Sequence, residues 1–254
     1  MTHRQHLAQQ LSFYEQRAHA HLRPRADDHY AAKIVSRLVA ALGVQRHHCL
    51  VELGASFGRF TFPLLEHCHS VIAVDLSERV LQEFVETRQS LKISEERCRV
   101  LCADVQQLTR EQLGQPVDFV VGFFILHHLP DITATLHSAA GLLRPPGALA
   151  FVEPNRRNPL FLAQVAVCRD MSWREEKGLF ELSAAKVKRA SLEAGLTGAR
   201  SSTFGFFPPQ LVNRFPWARR MEARLESTKV LSPVLPFLLL TASCPEDRTS
   251  LGGG

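Results

Sequence analysis

Val51-Glu52-Leu53-Gly54-Ala55-Ser56-Phe57-Gly58-Arg59-Phe60 is an apolar strand that ends in a bend of small residues. The strand begins near Leu50, and the helix after the bend carries Phe60, Phe62, Leu64 and Leu65. Gly54 and Gly58 permit backbone angles and close approaches that a side chain forbids, so a nucleotide-like ligand can lie against the loop. Glu52 is the unusual member, because a carboxylate at the end of a buried strand is costly unless it has a partner.

Two familiar patterns overlap this bend. A dinucleotide-binding loop requires G-x-G-x-x-G, and its second and third glycine positions are occupied here by Ser56 and Arg59. A nucleophile elbow requires G-x-S-x-G, which Gly54 to Gly58 satisfies literally. A hydrolase of that kind places its histidine late in the chain, after the acid. The last histidine here is His137, and the serine arrives before the strands that should precede it. The elbow is therefore set aside.

At 254 residues, 45% of them hydrophobic, the chain can form one large α/β domain with elements to spare. No apolar run reaches the length of a membrane span; the longest, near Val234 to Ala242, is interrupted by Pro236 and reads as a buried strand. Met1 to His6 lack an apolar signal region, so a cytoplasmic location is expected. The six cysteines (Cys49, Cys68, Cys98, Cys102, Cys168, Cys244) form no C-x-x-C pair and read as small hydrophobes rather than disulfides. His67-Cys68-His69 and His47-His48 flank predicted strands, where neighbours point to opposite faces, so no metal is expected. The net charge of +5 is scattered, with short clusters at Lys186/Lys188/Arg189 and Arg219-Arg220 that read as solvated helix faces. No nucleic-acid partner is expected from that pattern.

Strand-like and helix-like segments alternate after residue 48, which predicts a mostly parallel sheet with helices on both faces. The strands are placed at Cys49–Leu53, Val71–Asp75, Arg99–Ala103, Phe119–Phe123, Ala148–Glu153, Ala199–Thr203 and Phe237–Ala242. Helices are placed at Glu78–Arg88, Ile132–Leu142 and Ala184–Ala194, the last capped by Ser183 and stopped by Gly195. Arg144-Pro145-Pro146-Gly147 reads as a turn into the fifth strand. Residues 1–43 are expected to form an N-terminal helical lid holding both tyrosines, Tyr14 and Tyr30. Residues 44–246 form the main domain, with cap insertions at about 154–181 and 204–234, and 247–254 are expected to be a disordered tail.

Ligands of parallel sheets collect at the carboxyl ends of the strands. Asp75 closes the second predicted strand about 20 residues after the bend, where an acid accepts ribose hydroxyls. Asp104 follows the third strand, and Gly122 and Phe123 end the fourth. One acid at a strand end is as well explained as a helix cap. Acids at the ends of three successive strands are harder to explain that way.

These residues, with Asp118-Phe119-Val120-Val121-Gly122-Phe123-Phe124-Ile125-Leu126-His127-His128-Leu129-Pro130-Asp131 and Leu142 to Leu149, resemble the motifs of class I S-adenosylmethionine-dependent methyltransferases of the small-molecule type. The resemblance covers roughly residues 45 to 155 well and departs at Ser56, where the family carries a glycine. It implies a Rossmann-like, seven-stranded, mostly parallel sheet whose last strand is antiparallel. It also implies S-adenosylmethionine as cofactor, held by Glu52, Gly54, Ala55, Ser56, Gly58, Asp75, Leu76, Asp104, Val105, Gly122 and Phe123. Asp104 would accept from the adenine amino group, and Glu52 would orient the loop or partner the methionine amino group.

Methyl transfer to a hydroxyl or an acidic carbon benefits from a base, and histidine titrates near neutrality. His127 and His128, just past the fourth strand, are the candidate bases, and which of them faces an acceptor is left open. Glu153, with Tyr14 and Tyr30, is a candidate acceptor contact. The fourth strand ends without the Asn/Asp-Pro-Pro-Tyr/Phe motif of enzymes that methylate exocyclic amines. The segments Phe161 to Ala166, Trp173, Phe204 to Pro209 and Phe215 to Trp217 are apolar and aromatic, and fit either a roof over a hydrophobic acceptor or a homodimer interface. O-methylation of a small apolar molecule is the function expected. A catalytically silent scaffold of the same fold and an NAD-dependent oxidoreductase are the rivals.

Overall fold

The computed structural model describes residues 22–159 and 177–246. In chain order the elements are α1 (His29–Leu42), β1 (Cys49–Leu53), α2 (Thr61–Leu64), β2 (Ser70–Asp75), α3 (Glu78–Ser90) and β3 (Cys98–Cys102). Next come α4 (Arg110–Leu113), β4 (Val117–Phe123), a 3-10 turn (Leu126–His128), α5 (Ile132–Leu142) and β5 (Leu143–Pro154). After the second described segment begins, α6 (Lys177–Glu181), α7 (Ala184–Glu193), β6 (Thr197–Phe204), α8 (Pro209–Arg214), α9 (Pro216–Glu226) and β7 (Phe237–Ser243) follow. Tyr14, Cys168, Phe161 to Ala166, Trp173 and the 247–254 tail lie outside the described residues.

The seven strands form one sheet in the order β3-β2-β1-β4-β5-β7-β6. β1 pairs in parallel with β2 on one side and β4 on the other, so the chain reverses its direction of travel across the sheet there. In doubly wound sheets such a reversal, beyond the carboxyl ends of β1 and β4 here, is where ligands bind. β7 is antiparallel to both β5 and β6 and lies between them.

Side-chain alternation divides the core. Val51 and Leu53 pack with Leu136, Leu142, Phe151 and Val187 under α5 and α7. Leu50, Val71, Ala73 and Val121 pack with Ile34, Leu38 and Phe84 under α1 and α3. Helices α1, α3, α5 and α7 start where short polar side chains accept amide hydrogens: Asp28 from Ala31, Ser77 from Val80, Asp131 from Ala134 and Ser183 from Lys186.

Two expectations are corrected. Arg144 to Gly147 do not form a turn outside the sheet, because β5 runs through them. The register jumps from Val117↔Leu143 to Phe119↔Ala148, so the prolines sit in a bulge. A Cβ on Gly147 would lie 2.5 Å from the Arg144 carbonyl oxygen, which closes that position to other residues. His47 and His48 do not alternate as neighbours in an extended chain would; they lie at a turn, with ring centroids 4.1 Å apart.

The 204–234 segment is tied to α1 by two acids of α9. Glu222 is buried, accepts the Phe206 and Phe207 amides at 2.6 and 3.1 Å, and pairs with Lys33 at 2.6 Å. Glu226 accepts the Gly205 amide at 2.8 Å and pairs with Lys33 and Arg37. Burial alone would raise the Glu226 carboxyl, but Lys33, the Gly205 amide and Arg37 outweigh it and hold it below its ordinary value. Truncation by Glu222→Ala would strand two amides and leave Lys33 with Glu226 alone, and should lower stability by about 2–4 kcal/mol in urea unfolding. Glu222→Gln, which still accepts the amides, should lose less.

Candidate functional site

The bend after β1 is drawn over the tip of β2. The amides of Gly54 and Ala55 both donate to the Val74 carbonyl, at 2.8 and 2.9 Å. Gly54 has φ +73°, and a Cβ there would stand 2.3 Å from Ile125 Cδ1. Gly58 has φ +87°, and a Cβ there would stand 2.6 and 2.7 Å from the Phe62 and Phe84 rings. Both positions therefore exclude every side chain. Ser56 sits at φ +49°, a conformation uncommon outside glycine. Its amide donates to Asp75 Oδ2 at 2.9 Å, while its hydroxyl is buried and makes no hydrogen bond among the described residues.

Three acids lie at the neighbouring tips. Glu52 shares the α1 face with Leu50 by alternation and is 1% exposed. Thr61, the first residue of α2, donates to its Oε2 at 2.5 Å. Burial pushes the Glu52 carboxyl up to about 8, the Thr61 hydroxyl opposes this, and the charge of Asp75 adds to it. Asp75 also accepts the Ser77 amide at 3.1 Å. Burial raises its carboxyl, against the amides of Ser77, Ser56 and Leu76. Ala103 donates its amide to the Asp75 carbonyl at 3.0 Å, which keeps the ends of β2 and β3 side by side. Asp104 then accepts the Gln106 amide at 3.0 Å, with Val105 buried beside it.

Beyond β4 the chain turns sharply at Phe124, which has φ +56° and donates its amide to Val152 at 2.7 Å. A Cβ on Gly122 would lie 2.7 Å from the Phe151 ring and 2.9 Å from Ile125 Cγ2. Phe123 stacks on Phe60 with centroids 4.5 Å apart, on the α1 side of the sheet.

Glu153 is fully buried and organises the 3-10 turn. Its Oε1 accepts the amides of Ile125 and Leu126 at 3.0 and 2.8 Å, and its Oε2 lies 2.5 Å from His127 Nδ1. Glu153 thus stands behind His127, enclosed by protein groups. His127 is 5% exposed, whereas His128 is half-buried, its ring centroid 3.9 Å from that of His127. Gly178 of α6 presses on this turn, for a Cβ there would stand 1.8 Å from the His127 carbonyl oxygen.

A polar cluster borders the loop on the α1 side. Arg59 pairs with Asp28 at 2.7 Å and places its guanidinium over the rings of Tyr30 and Phe60, at 5.7 and 5.5 Å. Asn213 of α8 accepts the Tyr30 amide at 2.8 Å and donates to Asp28 at 3.1 Å. Burial alone would raise the Asp28 carboxyl, but Arg59, the Ala31 amide and Asn213 outweigh it and hold it below its ordinary value. Burial raises the Tyr30 phenol, whose ring also packs edge-on against Phe237.

Sequence reasoning missed Thr61, Asp28, Arg59, Asn213 and Gly178. Arg59 carried a signal, as a cation next to a glycine loop. The others are made relevant by contacts far apart in the chain. The aromatic segments expected to form a roof divide: Phe204 packs on Phe237 in the core, whereas Phe207 and Phe215 flank the half-exposed Trp217.

Residues 51–149 match the family model described as a methyltransferase domain. An uncharacterized methyltransferase of Mycobacterium tuberculosis is 32% identical over 162 residues, which span 63% of this chain and 76% of that protein. The ubiquinone biosynthesis O-methyltransferase of Coxiella burnetii is 27% identical over 115 residues, 44% of this chain and 46% of its own. The crystal structure of the N-methyltransferase NodS of Bradyrhizobium japonicum, in complex with S-adenosyl-L-homocysteine, matches with a TM-score of 0.58 at 18% identity. It covers 95% of this chain and 100% of that one.

The raised Glu52 carboxyl has a consequence for stability. The folded protein holds this proton more tightly than the unfolded chain, where the ordinary value is 4.5. The penalty of ionising it is absent below that value and grows as pH rises toward about 8. Glu52→Gln should therefore gain stability relative to the parent between about pH 5 and about pH 9, by a few kcal/mol in order of magnitude. Urea unfolding across that range checks it; parallel pH profiles would show that Glu52 ionises normally.

Proposed function

This chain belongs to the class I S-adenosylmethionine-dependent methyltransferases, and from that premise we propose that it methylates a hydroxyl of a small, largely apolar molecule, with His127 as the base. The carrying observation is the buried His127–Glu153 pair at 2.5 Å, on the turn whose Ile125 closes over Gly54.

The loop fits the cofactor. A buried Ser56 hydroxyl without a partner among the described residues suits a ligand atom, and the two glycines present no side chain there. Gly54, Ala55, Ser56 and Gly58 would hold the amino-acid portion, Asp75 and Leu76 the ribose, and Asp104 and Val105 the adenine. Gly122 and Phe123 would border the adenosyl group, and Glu52 would support the loop from beneath. S-adenosylmethionine, when bound, supplies an electrophilic methyl group on a sulfonium.

The chain's own task is then to align the acceptor, exclude water and take up a proton. Glu153 accepts two backbone amides on Oε1 and the Nδ1 proton of His127 on Oε2, and Nε2 is the nitrogen that would take up the proton of an acceptor hydroxyl. Glu153 is a positioning residue in this scheme, and reaches an acceptor only through the imidazole. Tyr30, with Arg59 over its ring, would line the α1 side of the acceptor space. The rings of Phe60, Phe123, Phe124 and Phe237, which run in contact from the glycine loop to Tyr30, support a hydrophobic acceptor. The O-methyltransferase of Coxiella burnetii among the relatives supports the choice of oxygen.

Labelled methyl transfer into a host metabolite extract, with mass identification of the product, tests the proposal. An oxygen-linked methyl on an apolar product is expected, and an N-methylated product would overturn that choice. His127→Ala should lower turnover by about 10²–10⁴-fold while calorimetric affinity for S-adenosylmethionine stays within about twofold. Unchanged turnover would remove His127 as base. Glu153→Gln should displace the pH profile of turnover, which a purely structural role would leave in place.

A further inference from the structure

The outer surface of α9 is of a different kind from the inner one. Trp217, Arg220, Met221 and Arg224 recur at spacings of three, one and three and so share one side of the helix, opposite the buried Ala218 and Glu222. All four are exposed, Trp217 at 49% and Met221 at 45%. Phe207 and Phe215 extend the apolar patch at Trp217, with centroids 5.7 and 6.1 Å away. Arg214 lies over the Phe215 ring at 5.8 Å, and Val230, 85% exposed, follows α9.

The charge on this segment is sorted by side. Between Phe206 and Val230 the cations are Arg214, Arg219, Arg220, Arg224 and Lys229, and the acids are Glu222 and Glu226. Both acids turn inward, onto Lys33, Arg37 and the amides of residues 205–207. The outward side is left with arginines, an indole, a thioether and flanking aromatic rings. An aromatic residue with one polar edge, set among arginines on an otherwise apolar helix side, is suited to the boundary between lipid headgroups and acyl chains.

We propose that this face is a docking surface for an anionic phospholipid bilayer, with α9 lying in the plane of the headgroups. The argument for a lipid surface is complementarity on two counts. The arginines match anionic headgroups, and Trp217 and Met221 match the acyl boundary, which a phosphate backbone or an acidic protein surface would leave unused. The inference goes beyond methyl transfer and does not depend on which acceptor is used. It does orient the molecule. Asn213 and Glu222, on the inner side of the same segment, contact Tyr30, Asp28 and Lys33 beside the glycine loop, so docking would bring the open ends of β1 and β4 near the membrane.

The test is vesicle co-sedimentation of the full chain, with vesicles of pure phosphatidylcholine and of phosphatidylcholine containing a third phosphatidylserine. Binding to the anionic vesicles should be stronger by about tenfold or more and should weaken with salt. Arg220→Glu combined with Arg224→Glu should abolish that preference without changing the thermal midpoint, since neither side chain packs inside. In a Trp173→Phe background Trp217 is the sole tryptophan, and its emission should shift to the blue on anionic vesicles alone. Equal binding to both vesicles, or binding that survives the double reversal, would overturn the proposal. So would self-association or oligonucleotide binding that the double variant abolishes in the absence of any vesicle binding, because the face would then belong to a second copy or to nucleic acid.

Discussion

A carboxylate withdrawn completely from water must be surrounded by donors, and Glu153 meets that demand with two backbone amides and an imidazole. Those bonds fix the turn after β4, and the turn fixes Ile125. Ile125 then fills the space that a side chain on Gly54 or Gly122 would need. The glycine loop, its contacts with Val74 and the approach of Ser56 to Asp75 all follow from that closure. One buried acid on β5 thus sets the shape of a loop a hundred residues earlier in the chain.

Three buried glutamates use three different solutions. Glu153 is held by amides and histidine, Glu222 by amides and lysine, and Glu52 by a single threonine hydroxyl. The first two are well supplied with donors and act as fasteners, one for the turn at the strand ends and one for the cap. Glu52 has the fewest donors and has its carboxyl raised by burial. This poorly matched acid lies one residue before the glycine loop. The membrane-facing proposal follows from the same sorting, because turning Glu222 and Glu226 inward leaves the outer side of α9 cationic.

Much of the fold was legible because hydrophobic alternation and punctuation agreed along the chain. β1 was placed from Cys49 to Leu53 and α5 from Ile132 to Leu142, and both ranges hold. Ser183 does cap α7. The antiparallel last strand and the mostly parallel sheet also hold. What escaped was set by distant contacts. Two prolines and a glycine signal a turn locally, yet pairing with β4 keeps them in β5 as a bulge. Glu153 reads as a strand-end acid open to ligand, and only the fold shows that the chain past β4 wraps its carboxylate. Gly178 looks like an ordinary residue of an insertion until α6 is seated on the His127 carbonyl. The polar cluster around Asp28 joins residues from opposite ends of the sequence, which no local pattern records.

The insertion of β7 between β5 and β6 constrains the order of assembly during synthesis. Among the described residues β6 pairs with β7 alone, so it stays unzipped until β7 leaves the ribosome. Until then the Ala148–Pro154 edge of β5 is a nascent, apolar template open to pairing with any passing strand. A chaperone engaging the emerging polypeptide would have most to protect at that seam.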